Sequence, residues 1–355
     1  MTNKIFKRRP IGWKHLAKLC CLLALQWLTS GGIAGVAAET GDEIWLEPSA
    51  KNDDTVRFSP QRIIYRRGVI ESFDDKSIRF LDTTDDGAEQ SKRNLLKVPS
   101  PRVIWIEPRF EDQATVAAIA SFRSGDPKDA IAPLLEAINR RPPVWLAQWL
   151  SMHLWQAAFQ AQKYPATLAL VNQIDSRPMP TVVAGGLPIH WTSERLPPEA
   201  LEAARKVLNA EESLEATKLV AASWIVGNQG DAQAVAVLDA ISQQNTRPAL
   251  AQLAKSLLWR KATPPSIREN RRQWQASLSM LPLTLVSGPS LLLADRLQAS
   301  GDNETSLELL LSAGVTPPRP HYITRTAKQR AVELLNQLGQ PDAADRIADS
   351  KPPSR

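Results

Sequence analysis

The sequence predicts a mainly α-helical chain in which an irregular α-solenoid of helical hairpins follows a small all-β module. Three observations carry this prediction. Between Asp42 and Glu107 apolar residues alternate with polar ones at period two, as half-buried strands do. From Asp112 to Ala348 the apolar period becomes helical and is broken by Gly, Pro and Asp at intervals suited to helical hairpins. Both cysteines, Cys20 and Cys21, lie in an apolar N-terminal run. The rest of the chain must therefore hold by burial alone, without disulfides.

That N-terminal run has the order of a secretory signal peptide over residues 1–38. A positive start ("KIFKRRP", Lys14) precedes the apolar "LCCLLALQWL", and small residues follow in "GGIAGVAA". Val36 and Ala38 place the expected cut before Glu39. An uncleaved anchor is the alternative, since Leu19 to Ala38 approaches the roughly 20 residues of a membrane span. Neither cysteine follows the small residues of a lipoprotein box. Six of the 43 basic residues and none of the 37 acids lie in this segment, so what remains carries equal numbers of each sign. The computed isoelectric point of about 9.4 is thus a property of the leader. No basic track interleaved with aromatics appears, and no nucleic-acid partner is expected.

The β-module is expected over residues 39–110. "RRGVIESFDDKSIRFLD" reads as a hairpin turning at "DDKS", followed by the polar loop "TTDDGAEQSK" and the strands "RNLLKVP" and "RVIWIEP". "EIWLEP" (Glu43–Pro48) and "VIWIEP" (Val103–Pro108) are near copies, each stopped by a proline that cannot donate to a ladder. They are expected as first and last strands, able to lie side by side. Trp45 and Trp105 are expected to pack rather than to form open ligand platforms. The pattern Gly-x-Ile, turn, Ile-x-Phe resembles that of SH3-like or Sm-like barrels, which implies a small barrel-like domain.

The helical region is expected over residues 111–350. "GDPKDAIAPLLEAINRRP" (Gly125–Pro142) places Ala130 and Ala137 where two helices approach closely and Leu134 in the gap between them. Weaker copies follow at Lys163, Gly230, Gly301 and Gly339. On these residues the chain resembles exported bacterial tetratricopeptide-like repeat proteins with an N-terminal β-module. It departs from that pattern at Ala114 and Ala118, where a large aromatic and a small residue are usual. The resemblance implies protein or peptide partners.

No local signature of catalysis is present: there is no Gly-x-Ser-x-Gly, phosphate loop, His-Glu-x-x-His or dinucleotide fingerprint. Beyond residue 38 the histidines are His153, His190 and His321, far apart, and no metal or other cofactor is expected. Thirty-seven acids leave a glycosidase pair open, but nothing selects one. The basic run "RENRRQ" (Arg268–Gln273) is expected on a solvated helix face.

Two features remain as candidate binding elements. Trp145, Trp149 and Met152 form an apolar stripe at helical spacing, which usually marks core. The functional alternative turns Trp149 and Gln156 toward a concave groove holding a peptide or glycan. Residues from about 175 to 197 lack helical period, and "GLPIHW" sets Leu187, Ile189 and Trp191 at alternate positions. This predicts an extended strap buried along one face, Trp191 its anchor, with His190 pointing to solvent or a groove. The sequence therefore predicts a non-enzymatic interaction or scaffold module of the bacterial cell envelope, exported to the periplasm. Its expected partner is a protein or peptide, or a cell-wall glycan, with membrane contact if the leader is retained. The alternatives are an enzyme acting on envelope polysaccharide and a membrane-anchored tethering factor.

Overall fold

The computed structural model describes residues 41–48, 63–83, 94–226, 232–315 and 322–349. The leader, nearly all of the "TTDDGAEQSK" loop, the Gly230-Asp231 turn and His321 lie outside the described residues.

Five strands form one antiparallel sheet: β1 (Asp42–Leu46), β2 (Ile64–Phe73), β3 (Ser77–Asp82), β4 (Asn94–Pro99) and β5 (Val103–Glu107). Their order is β4-β3-β2-β1-β5. The two near-copies are neighbours, with Ile44 opposite Ile106 and Trp45 opposite Trp105. The β2–β3 turn closes because the Asp74 carboxylate accepts from the Lys76 and Ser77 amides at 2.9 and 2.8 Å. Ile44, Ile70, Ile78, Phe80 and Ile106 cover the inner face. The hydrogen-bonded ladder is open, with β4 and β5 at its two edges.

Fourteen helices follow among the described residues. The first five are α1 (Gln113–Ser124), α2 (Pro127–Asn139), α3 (Val144–Gln160), α4 (Tyr164–Asp175) and the one-turn α5 (Thr181–Gly185). Then come α6 (Pro198–Asn209), α7 (Glu215–Ile225), α8 (Ala232–Ser242), α9 (Pro248–Leu257) and α10 (Pro264–Met280). The last are α11 (Leu283–Ala299), α12 (Asn303–Val315), α13 (Tyr322–Gln337) and α14 (Pro341–Asp349). The α1–α2 turn shows why the chain breaks where it does. Asp112 caps α1 by accepting from the Ala114 and Thr115 amides, and the Thr115 hydroxyl foremost, with these amides, draws its carboxyl down to about 2. Gly125 ends α1 at φ 108°, where a side chain would be strained, and Pro127 opens α2 at its first position. Ala130, Leu134 and Ala137 are the buried face of α2.

Most successive helices pack as neighbours, and the array also doubles back: α11 touches β5, α5 and α9, and α13 touches α11. Sheet and helices join into one body. The Glu47 carboxylate accepts from the Leu283 amide at 2.7 Å, capping α11 from the sheet. Both Glu107 oxygens accept from Arg123 of α1 at 2.8 Å. A single apolar cluster runs from Ile44 and Phe80 through Trp149 and Trp224 to Leu334. No described helix is long and apolar enough to cross a membrane.

The expectation of a wholly extended strap is corrected by α5. Here the Val183 and Ala184 amides bond back to the Pro180 carbonyl at 3.0 and 2.9 Å. A helical turn satisfies these donors locally while burying Val182, Val183 and Ala184 against β5, α9 and α11.

Candidate functional site

Past α5 the chain from Gly186 to Leu196 runs without regular structure through the middle of the helices. Leu187, Ile189 and Trp191 are all buried. The Trp191 indole lies flat against the backbone of α11 at Gly288, where an added Cβ would come within 2.3 Å of it.

An irregular segment in such a place needs partners for its carbonyls, and an unmet buried one costs about 1–3 kcal/mol. Large side chains from distant elements supply them. Trp155 Nε1 and Gln156 Nε2 of α3 donate to the Gly186 carbonyl at 2.7 and 2.9 Å. Trp224 Nε1 of α7 donates to Pro188 at 2.9 Å, and the Tyr322 hydroxyl of α13 donates to Ile189. Arg260, in the one-turn segment Leu258–Lys261, donates to the carbonyls of His190 and Thr192, and to Ser223 at 3.0 Å. Burial pulls the Arg260 guanidinium down to about 10, with Asp295 opposing that fall. It remains a cation at neutral pH, fixing three carbonyls. Burial also pushes the Tyr322 hydroxyl up, so it stays a donor.

Beside the strap lies a groove of about 400 Å³, within the range of small-ligand sites. One wall is the strap (His190, Thr192, Glu194); the others come from the α3–α4 junction, the end of α11 and the length of α13. His190 is the deepest polar group, only 6 % exposed. Its amide donates to Ser223 Oγ at 3.1 Å, and its Nε2 meets the Glu194 carbonyl at 2.6 Å. Burial first, then the Arg260 charge, lower its pKa from 6.5 to about 4. Arg330 of α13 closes the floor by bonding Asp295 and reaching Glu194 at 3.3 Å. Burial raises the Asp295 carboxyl, and Arg330 with the Ser193 amide pulls it back.

The three candidate groove residues do not share one surface. Trp149 faces no groove. Its ring is fully buried, tilted against His153 at 3.9 Å and set edge-on to Trp105 at 6.1 Å, because α3 is enclosed by sheet and helices alike. Gln156 is also buried and lines a separate cavity of about 80 Å³ with Arg123, Met152 and His153, which has room for a few waters. His190 does border a groove, but as a buried member of its wall rather than a residue pointing into solvent. Ala130, Leu134 and Ala137 are buried between α2 and its neighbours.

Other sequence-marked groups have structural employment. Arg268 donates to the Ser300 carbonyl and Arg271 pairs with Asp302 at 2.6 Å, so the basic run of α10 closes the end of α11. Asp175 and Glu215 converge on Arg247, and Asp175 also accepts from the Ala216 amide at 2.6 Å. Burial foremost, with Asp175 adding to it, raises the Glu215 carboxyl. This cluster ties the ends of α4, α7 and α9 together. Among the described residues no group of three or more His, Cys, Asp or Glu side chains is placed to hold a metal ion.

Sequence reasoning missed Trp155, Trp224, Arg260, Asp295, Tyr322 and Arg330. One of them leaves a local trace: Arg260 interrupts the apolar "LLWRK", where a lone charge needs a buried partner. The class that fold and site together define is a mainly helical protein with a small N-terminal antiparallel sheet and a polar groove along a buried strap. Comparison with family models, with curated proteins and with solved structures gives no match.

Proposed function

We propose that this chain is a non-enzymatic binding module of the bacterial cell envelope, exported by the leader over residues 1–38, which holds an envelope partner in the groove between the strap and α13. On this reading the helices are an irregular tetratricopeptide-like solenoid whose middle is filled by its own strap. The sheet is an SH3-like module: β5 returns beside β1, and a bulge between Ile70 and Ser72 bends the long β2 as barrel-type sheets require.

The observation that carries the reading is the contrast between the strap and its groove. α3, α7, α13 and Arg260 donate inward to hold the strap, while Gln329, Glu333 and Gln337 of α13 stand exposed along an open polar channel. Rigid walls with adaptable polar rims suit docking. The test is a photo-reactive residue at Gln329 in intact cells, with one at exposed Glu202 of α6 as control. A discrete adduct from position 329 and none from 202 is expected. Identical patterns from both would remove the groove from consideration. N-terminal sequencing of the protein should find a start near Glu39; retention of residues 1–30 would favour the tethering alternative.

A second reading, an enzyme acting on envelope polysaccharide, draws on Glu194 and Glu333, two carboxylates lining this one groove. Glycosidases set their pair about 5–9.5 Å apart. Release of reducing ends from wall glycan by the purified protein, abolished in Glu333→Gln, would establish it.

A further inference from the structure

We propose that the groove is a saccharide site, in which His190 Nδ1 accepts a hydrogen bond from a hydroxyl of an uncharged, polyhydroxylated chain. The proposal rests on the docking role given to the groove above and adds the chemistry of the ligand.

The tautomer of His190 follows from its neighbour. Nε2 lies 2.6 Å from the Glu194 carbonyl, which can only accept, so Nε2 carries the hydrogen. A neutral imidazole has one N–H, and Nδ1 is left as a bare acceptor. Nδ1 has no partner among the described residues, although the residue is all but 6 % buried and borders the groove. Burial and the charges of Arg260 and Arg330 keep the ring from taking a second proton. The site therefore presents a fixed lone pair that calls for a donor.

The remaining lining selects among donors. Five glutamines, Gln160, Gln162, Gln298, Gln329 and Gln337, border the groove. A carboxamide both donates and accepts, and so does a sugar hydroxyl. Eleven of the sixteen lining residues are polar, so hydrogen-bonding groups outnumber the apolar ones that would anchor a peptide side chain. An anionic ligand finds no free counter-charge either. Arg330 is already paired with Asp295 and Glu194, and the Glu333 carboxylate, which accepts from Gln329 at 2.9 Å, would repel it.

The test titrates the full chain in a calorimeter with two neutral probes, the β-1,4-linked tetramer of N-acetylglucosamine and the α-1,4-linked tetramer of glucose. Saturable binding of at least one is expected. A β-linked preference would point to a wall-type glycan, an α-linked one to a glucan. Gln329→Ala, at an exposed position that does not carry the fold, should weaken binding at least ten-fold. His190→Phe should do the same, because a ring still fills the wall while the Nδ1 acceptor is gone. Should that variant misfold, Gln337→Ala takes its place. Absence of binding by either tetramer at millimolar concentration, or variants binding as tightly as the parent, overturns the saccharide assignment. If cross-links from position 329 then persist, the groove docks a protein and only the ligand class was wrong. If they are missing too, the docking role itself falls.

Discussion

At His190 the ordinary pKa of 6.5 falls to about 4, and burial is the first cause. The consequence for stability has a definite sign. Between pH 6.5 and 4 the unfolded chain binds a proton at this residue and the folded chain does not, so stability is present above 6.5 and is lost as pH falls toward 4. The shift corresponds to about 3 kcal/mol. Asp42, Glu215 and Asp295, whose carboxyls burial raises, act in the opposite sense over this range. The difference between the parent and His190→Gln isolates the histidine. Urea unfolding at pH 6.5 and 4.5 should show the parent losing more stability than the variant by about 2 kcal/mol. Parallel losses would mean that the imidazole titrates normally.

At the scale of the element, α2 shows how far local pattern reaches. Its buried residues recur at positions 130, 134 and 137, a spacing readable without any structure. Ala130 is fully buried, and its neighbour Asp129 is exposed in the first turn. Ala130→Trp should therefore destabilise the protein by about 3 kcal/mol or more through overpacking, while Asp129→Trp should change stability by less than about 1 kcal/mol. Thermal unfolding of the two variants decides this, and equal midpoints would show that α2 presents another face. The hairpin β2–β3 was legible for the same local reason, its turn being built by the side chain of Asp74. α5 was not legible, because a single turn has too few residues to show a period and exists only through the elements that bury it.

For the molecule as a whole, the strap is the piece that many elements share. Trp191 lies against α11, and the carbonyls beside it are held from α3, α7, α13 and Arg260. Trp191→Ala should cost about 3–5 kcal/mol, the usual range for deleting a large buried aromatic. Because the loss falls at a shared contact, the segment around Gly185 and Gly186 should become open to protease before the helices unfold. Limited proteolysis followed by mass spectrometry gives the cut site. A variant of parental stability whose first cuts fall elsewhere would show that the strap is not what joins these elements.

The sequence by itself determined the alternation of strands, the helices with their Gly, Asp and Pro boundaries, and the apolar face of the strap. These depend on residues a few positions apart, whose periods and caps act within one element. Only the tertiary structure decided that the sheet stays open, that α11 and α13 return to the strap, and that Trp149 is enclosed while His190 borders a groove. Such outcomes depend on groups such as Tyr322 and Ile189, or Glu47 and Leu283, which lie 133 and 236 positions apart. A donor of this kind carries no mark of its acceptor in the chain, because the pairing is set by how the helices close on one another rather than by any spacing along them.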